Sequence, residues 1–246
     1  MTRLTKEAFL GDQCISVEAG LDLVQGDRLG LAPTSYEHWA GDYVTVHTYN
    51  NLTGLVTFNE TLLHHHWGAP ESTASKYQGV DIRGEVLILS RNIIISGDDV
   101  EAWGGQIVTS DAFESDMTLR AGSTILHNVE VFNCSQANTQ KAAIRFDGAS
   151  SSKSSITNSS IHNGHGWGVS ILNSANVVLH NNLIFNFKPF GIYTQTVQNI
   201  TIDSNVIAYI KERDSSLAGK WVVDRRAGIQ VCAVLFGVAG AISDVC

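Results

Sequence analysis

The sequence predicts an all-β chain whose second half is a parallel β-helix. Three observations carry that prediction. Apolar residues recur at a fixed step of 23 between Ile156 and Ile210, polar corners rich in Asn recur at the same step, and every segment between them is strand-length. Ile156, Leu179 and Ile202 stand one step apart, as do Ile161, Ile184 and Ile207. Ser159, Asn182 and Asn205 share the step, as do Asn163 with Asn186, Asn176 with Asn199, and Gly168 with Gly191. Within each copy a short apolar strand, an Asn corner, a second short strand and a Gly turn follow in order. A period of 20–30 residues made only of short strands belongs to a solenoid, because one coil cannot bury its apolar side alone. At this step the chain has room for about ten coils.

Composition agrees. The 246 residues are 16% charged, with 22 Gly and 3 Pro, and the net charge is −8. An acidic chain without clustered Lys and Arg excludes a phosphate-tracking nucleic-acid partner. It also disfavours simple electrostatic capture of an anionic polysaccharide. Cys14, Cys134, Cys232 and Cys246 lack the paired spacing of a zinc or thioredoxin-type site, and are read as disulfides or as buried thiols. No cofactor motif is present.

Taken in order, residues 1–13 read as a leader or linker without the apolar segment of a secretory signal. Residues 14–110 read as a β-rich segment with the first coils, and 111–246 as the β-helix proper. Ile15–Val17 is a strand, and Gly26–Tyr36 holds a turn, a strand and a Pro-marked loop. Residues 43–63 read as a hairpin, with Val44 and Val46 on one face.

His64, His65 and His66 raise the question of a metal. On a strand only His64 and His66 share a face, and His47 would have to complete the set. The competing expectation is one packed His and two in solvent. Val80–Leu89 and Asn92–Ile95 are expected strands, the second β-branched enough to be buried on both faces. Asp98-Asp99, Glu101 and Trp103-Gly-Gly-Gln106 read as a turn whose Trp covers the core end, or as a saccharide platform.

Leu126, Asn128, Val131 and Asn133 form an earlier coil, 30 residues before Ile156, Asn158, Ile161 and Asn163. The seven extra residues are expected in the bulged corner Ala149–Ser155. Asn128, Asn158 and Asn181 then line one corner, with Asn133, Asn163 and Asn186 on another, hydrogen-bonding along the axis. His162, His165 and Trp167 share a loop that could join a sugar-binding surface. Lys211–Ser216 reads as a solvated loop. The apolar run Ile229–Ile242 is too short for a membrane helix and reads as one or two buried strands.

Five sequons, at Asn51, Asn59, Asn133, Asn158 and Asn199, mark candidate glycosylation sites. Their excess over the abundance of Asn, Ser and Thr is modest. No catalytic, cofactor-binding or metal-binding residue is assigned. Asp98, Asp99, Asp111 and Asp116, with Arg91 and Arg145, are the groups a glycan-cleaving site could use. Trp103, Trp167 and Tyr193 are the rings a glycan-binding module could use.

Several stretches together resemble a known family. Gly26–Tyr36, Leu89-Ser-Arg-Asn-Ile-Ile-Ile-Ser-Gly-Asp98, Trp103–Gln106 and His127-Asn-Val-Glu-Val-Phe-Asn-Cys-Ser-Gln136 are similar to the G8 and β-helix region of fibrocystin and fibrocystin-L. That region is shared with cell-surface hyaluronidases related to transmembrane protein 2. The resemblance covers roughly residues 15–210, makes 14–110 G8-like and implies a right-handed β-helix. It implies a large, glycosylated cell-surface protein, such as a ciliary or stereociliary coat component, or a polysaccharide-degrading enzyme. The expected function is an extracellular structural or adhesive module of a surface, appendage or fibre protein. The alternatives are a hyaluronidase- or lyase-like enzyme and a glycan binder. Expected partners are further parts of a longer chain, identical copies in an assembly, or a glycan.

Overall fold

The computed structural model describes residues 1–98, 101, 103–211 and 227–232. The chain divides into two compact units, Met1–Ser90 and Arg91–Cys246.

The first unit is built on a six-stranded antiparallel sheet. Its strands lie in the order Thr2–Arg3, Glu85–Ile88, Arg28–Leu31, Asp42–Asn50, Leu55–Phe58, Cys14–Ser16. Alternation decides its packing: Val44 and Val46 turn inward with Leu29, Leu31, Val56 and Phe58, all nearly inaccessible. Asp42–Asn50 and Leu55–Phe58 form the expected hairpin, with a bulge between Val46 and Thr48. Residues 1–13 differ from a loose leader. Thr2 and Arg3 pair with Val86 and Glu85, and Leu4 and Ala8 lie in the core. The strand expected over Val80–Leu89 is two, Val80–Asp81 and Glu85–Ile88. Gly84 separates them, where a Cβ would meet Leu4 Cδ1 and the Trp67 carbonyl at 2.9 Å each.

The second unit is a parallel β-helix with three strands per coil. The first ladder stacks Ile125–His127, Ser154–Thr157, Ala175–His180 and Gln198–Asp203. The second stacks Ile93–Ser96, Val129–Phe132, Ser160–His162, Leu183–Phe187 and Val206–Ile210. The third stacks Ile107–Thr109, Ile144–Asp147, Val169–Leu172, Phe190–Gln195 and Ala227–Cys232. Among the described residues the coils are confined to this unit and number fewer than ten. The third ladder arises from segments after the Gly turn, which the two-strand pattern does not separate.

The 23-residue register holds between Ile156 and Ile207. Ile156 pairs with Leu179 and Leu179 with Ile202, while Ile161 pairs with Ile184 and Ile184 with Ile207. These side chains fill the centre with Val131, Ile144, Phe146, Val169, Ile171 and Ile192. The earlier coil pairs as expected, Leu126 with Ile156 and Val131 with Ile161. Its seven extra residues are split, however. The step is 30 at Val131–Ile161, 25 at Ile144–Val169 and 23 at Ile156–Leu179. Five therefore lie between Val131 and Ile144, where the Gln136 amide donates to the Lys141 carbonyl across a turn, and two between Ile144 and Ile156. The strand Ile93–Ser96 is not buried on both faces. It is the edge of its ladder, and Ile93 and Ile94 are 60% and 51% exposed.

Candidate functional site

The polar corners come first, because polar side chains at fixed spacing are where chemistry would be sought. Asn128, Asn158 and Asn181 have positive φ at one corner, and Asn133, Asn163 and Asn186 at another. Asn tolerates this left-handed conformation better than other side chains with a Cβ. The corners then bond along the axis. Asn181 Nδ2 donates to Asn158 Oδ1 at 2.7 Å, Asn186 to Asn163 at 2.8 Å, and Asn199 to Asn176 at 2.7 Å. A buried ladder runs beside them. The Val129 amide donates to Ser159 Oγ, the Ser159 amide to Asn182 Oδ1 and the Asn182 amide to Asn205 Oδ1. Each coil thus satisfies a turn amide of its neighbour.

Alternation sends Val129 and Val131 into the core and Glu130 and Phe132 to the outer side of the second ladder. There Glu130 and His162 are both fully buried, Oε1 lying 2.9 Å from Nε2. The Arg91 amide donates to the other Glu130 oxygen, and Arg91 Nε to the Asn158 carbonyl. Phe132 stacks on the His162 ring. Burial pushes the Arg91 guanidinium below its ordinary value, and the Glu130 charge opposes that shift. The repeat spacing alone does not reveal this cluster. Its signal is the pairing of Phe132 with His162, which brings the imidazole within reach of Glu130. His162 is therefore not part of an open sugar-binding loop.

On the third ladder Ile144, Val169 and Ile192 point inward, while Arg145, Ser170 and Tyr193 form a row on the outer side. Arg145 is ion-paired with Asp147. Trp167 is only 6% exposed and packs against Phe190 and Tyr193 at 5.2 and 4.5 Å, so it is not an open platform. Burial raises the Tyr193 hydroxyl. Trp103 does not cover the core end. It is 59% exposed, with Lys141 Nζ 5.2 Å from its ring centre.

The remaining sequence candidates separate. His66 is buried, Nε2 2.9 Å from Asp42 and Nδ1 3.1 Å from the Ala32 carbonyl. Burial raises the Asp42 carboxyl, and bonds from His66 and the Leu63 amide outweigh it, leaving Asp42 below the usual carboxylate range. His65 meets Glu7, and His47 is exposed. Among the described residues no three His, Cys, Asp or Glu side chains are grouped to hold a metal ion. Asp111 accepts from Ser150, Ser151 and Gly122, and Asp116 from the Thr118 amide. Each carboxylate holds its own turn, and Asp98 is exposed. Asp99 lies outside the described residues, as do Glu212–Ser216 and most of the run after Val231. Among the described residues Cys14 and Cys134 are free thiols. Asn51, Asn59 and Asn199 are exposed, and Asn133 and Asn158 are half-buried.

Residues 120–232 match the family model for the right-handed β-helix region. Fibrocystin-L of Homo sapiens is 24% identical over 140 residues, 55% of this chain and 3% of its own length. Fibrocystin of Mus musculus is 28% identical over 222 residues, 90% of this chain and 5% of its own. A G8 domain-containing protein of Dictyostelium discoideum is 22% identical over 215 residues, 83% of this chain and 14% of its own. The chain thus spans a small fraction of the relatives it matches. Among the described residues no helix is long and apolar enough to cross a membrane. The chain carries a right-handed β-helix region and is related in sequence to fibrocystin and fibrocystin-L.

Proposed function

We propose that this chain is a structural or adhesive β-helix module of a larger extracellular, glycosylated surface protein. Residues 14–110 form its G8-like part and first coils, and of the five sequons the exposed Asn51, Asn59 and Asn199 carry its Asn-linked sugars. One observation carries the reading. The corner side chains that could have built a reaction site are committed to coil-to-coil bonding, from Ser159–Asn182–Asn205 to Asn158–Asn181 and Asn163–Asn186. Such bonding makes each coil a template for the next, which suits a stiff spacer. The much greater length of the relatives supports a segment within a longer chain.

Expression of the chain through a eukaryotic secretory pathway tests this. The expected product loses mass on endoglycosidase treatment, in three steps removed singly by Asn51→Gln, Asn59→Gln and Asn199→Gln. It leaves neutral and uronate polysaccharides at their starting length. Unmodified sequons or falling polymer length would overturn the proposal, the second in favour of a hyaluronidase- or lyase-like enzyme.

A further inference from the structure

Asn163 and Gly164 form the one Asn-Gly pair in the sequence, and the fold demands both residues. Asn163 turns a corner of the β-helix at φ +51°, a conformation Asn accepts better than other residues with a Cβ. At Gly164 a Cβ would lie 2.0 Å from Phe187 Cε1 and 3.0 Å from the Cys134 carbonyl oxygen. Phe187 is 1% exposed within the core, so its ring has nowhere to move. Packing therefore fixes a dipeptide that is chemically labile. Glycine sets no side chain beside its own amide, and its rotational freedom lets that nitrogen reach the Asn side chain before it. The two groups are neighbours in the chain, so the attack is intramolecular. One residue, a step of 23 further on, ties both down. The Gly164 amide donates to the Asn186 carbonyl at 3.2 Å, and Asn186 Nδ2 donates to Asn163 Oδ1 at 2.8 Å.

We infer that Asn163-Gly164 is a deamidation site that Asn186 holds closed, and that it opens when the coil carrying Asn186 lifts away. In the reaction the Gly164 nitrogen attacks Asn163 Cγ and gives up its hydrogen. The Asn163 side-chain nitrogen leaves as ammonia, and a cyclic imide remains. Water then opens the imide at either carbonyl, leaving aspartate or isoaspartate at 163. The imide nitrogen carries no hydrogen, so the Gly164 bond to the Asn186 carbonyl does not survive ring closure. Closure also turns the Asn163 side chain back onto its own main chain, away from Asn186 Nδ2. Stacked coils and the imide exclude each other, and the reaction waits for local opening. Isoaspartate adds a methylene to the main chain at this corner, which shifts the register that stacking requires. The site thus records opening of the β-helix irreversibly. The inference is independent of the spacer role, which survives its failure.

Peptide mapping by mass spectrometry tests it, following conversion at Asn163 in the full chain at neutral pH, folded and unfolded in guanidinium. The folded chain is expected to convert at least about a hundredfold more slowly, an opening free energy of about 2.8 kcal/mol or more. Asn186→Gly keeps the carbonyl and suits the corner at φ +63°, and it deletes the side-chain tie. It is expected to speed conversion of the folded chain about tenfold, the loss of one hydrogen bond. Asn173-Ser174, at another corner, is the internal control and is expected to keep the parent's rate. The parent alone keeps the test open if Asn186→Gly folds poorly. As guanidinium is added below the unfolding midpoint, conversion at Asn163 and hydrogen exchange at the Gly164 amide are expected to rise in parallel. The inference fails if folded and unfolded parent convert at the same rate, or if the unfolded chain does not convert at all. It also fails if conversion stays flat while Gly164 exchange accelerates, if Asn186→Gly converts as slowly as the parent, or if Asn173 accelerates by the same factor.

Discussion

Asn182→Ala isolates what the buried corner ladder contributes. Asn182 is 1% exposed. Its Oδ1 accepts from the Ser159 amide at 3.0 Å, and its Nδ2 donates to the Ile156 carbonyl at 2.8 Å and to Asn205 Oδ1 at 2.9 Å. Truncation removes the first two bonds in a fully buried setting, at about 1 kcal/mol each, and strands the Ser159 amide at about 1 kcal/mol more. The third bond costs little, because Asn205 Oδ1 still accepts from the Asn182 amide. The expected loss is about 3 kcal/mol, or about 6–12 °C in melting temperature for a unit of this size. Asn182→Ser supplies the control. One coil earlier Ser159 already fills the same role, its Oγ accepting from the Val129 amide and donating to the Thr157 carbonyl. Serine at 182 is therefore expected to recover about two thirds of the loss. Thermal unfolding by circular dichroism, with hydrogen exchange at the Ser159 amide, reads both variants. Faster exchange at Ser159 is expected in Asn182→Ala alone. Equal stability of Asn182→Ala and parent, or equal damage from serine and alanine, would refute the ladder as a source of stability.

Three further substitutions follow from the geometry. Gly97→Ala would bring its Cβ to 2.0 Å from the Asn133 carbonyl oxygen and 2.3 Å from the Gly105 amide nitrogen, both main-chain atoms that cannot rotate away. It is expected to destabilise the β-helix by about 3 kcal/mol in chemical denaturation. Gly148→Asn, at φ +70° with open space around it, should cost under about 0.5 kcal/mol, and equal costs would contradict the packing described. In the first unit, hydrogen bonds from the Arg83 side chain outweigh the opposing effect of burial and hold the Asp81 carboxyl at about 2. Its folded value lies below its unfolded one of about 3.9, so its stabilisation is complete above about pH 4 and is lost as pH falls through about 2. Asp81→Asn should flatten the fall in stability across that window, as measured by urea unfolding at successive pH values. An unchanged slope would remove Asp81 from the account.

Much of the β-helix is legible in the residue order because its cause is periodic. A coil stacks only if residues one step apart match, so Ile156–Leu179–Ile202 and the Asn corners have to repeat in the chain itself. The third ladder is harder to see. Its outer row, Arg145, Ser170 and Tyr193, shares no residue type, and its inner residues vary from Phe146 to Thr194. The first unit is legible only as strands and a hairpin. Its six-stranded order depends on Thr2–Arg3 meeting Glu85–Val86, a contact between residues more than 80 positions apart with no periodic trace.

By itself, then, the sequence determined the all-β class, the 23-residue register, the two Asn corners and the kinship with fibrocystin. Each is written in local spacing or in residue identity. Away from the Asn corners, tertiary structure alone decided which side chains meet. Glu130 with His162, Asp42 with His66, and Trp167 beside Tyr193 come together only through strand pairing and burial. The physical reason is that a hydrophobic period states which face is inside. The pairing of outward side chains depends on how many residues each corner inserts, and here the step changes from 30 to 25 to 23 within a single coil.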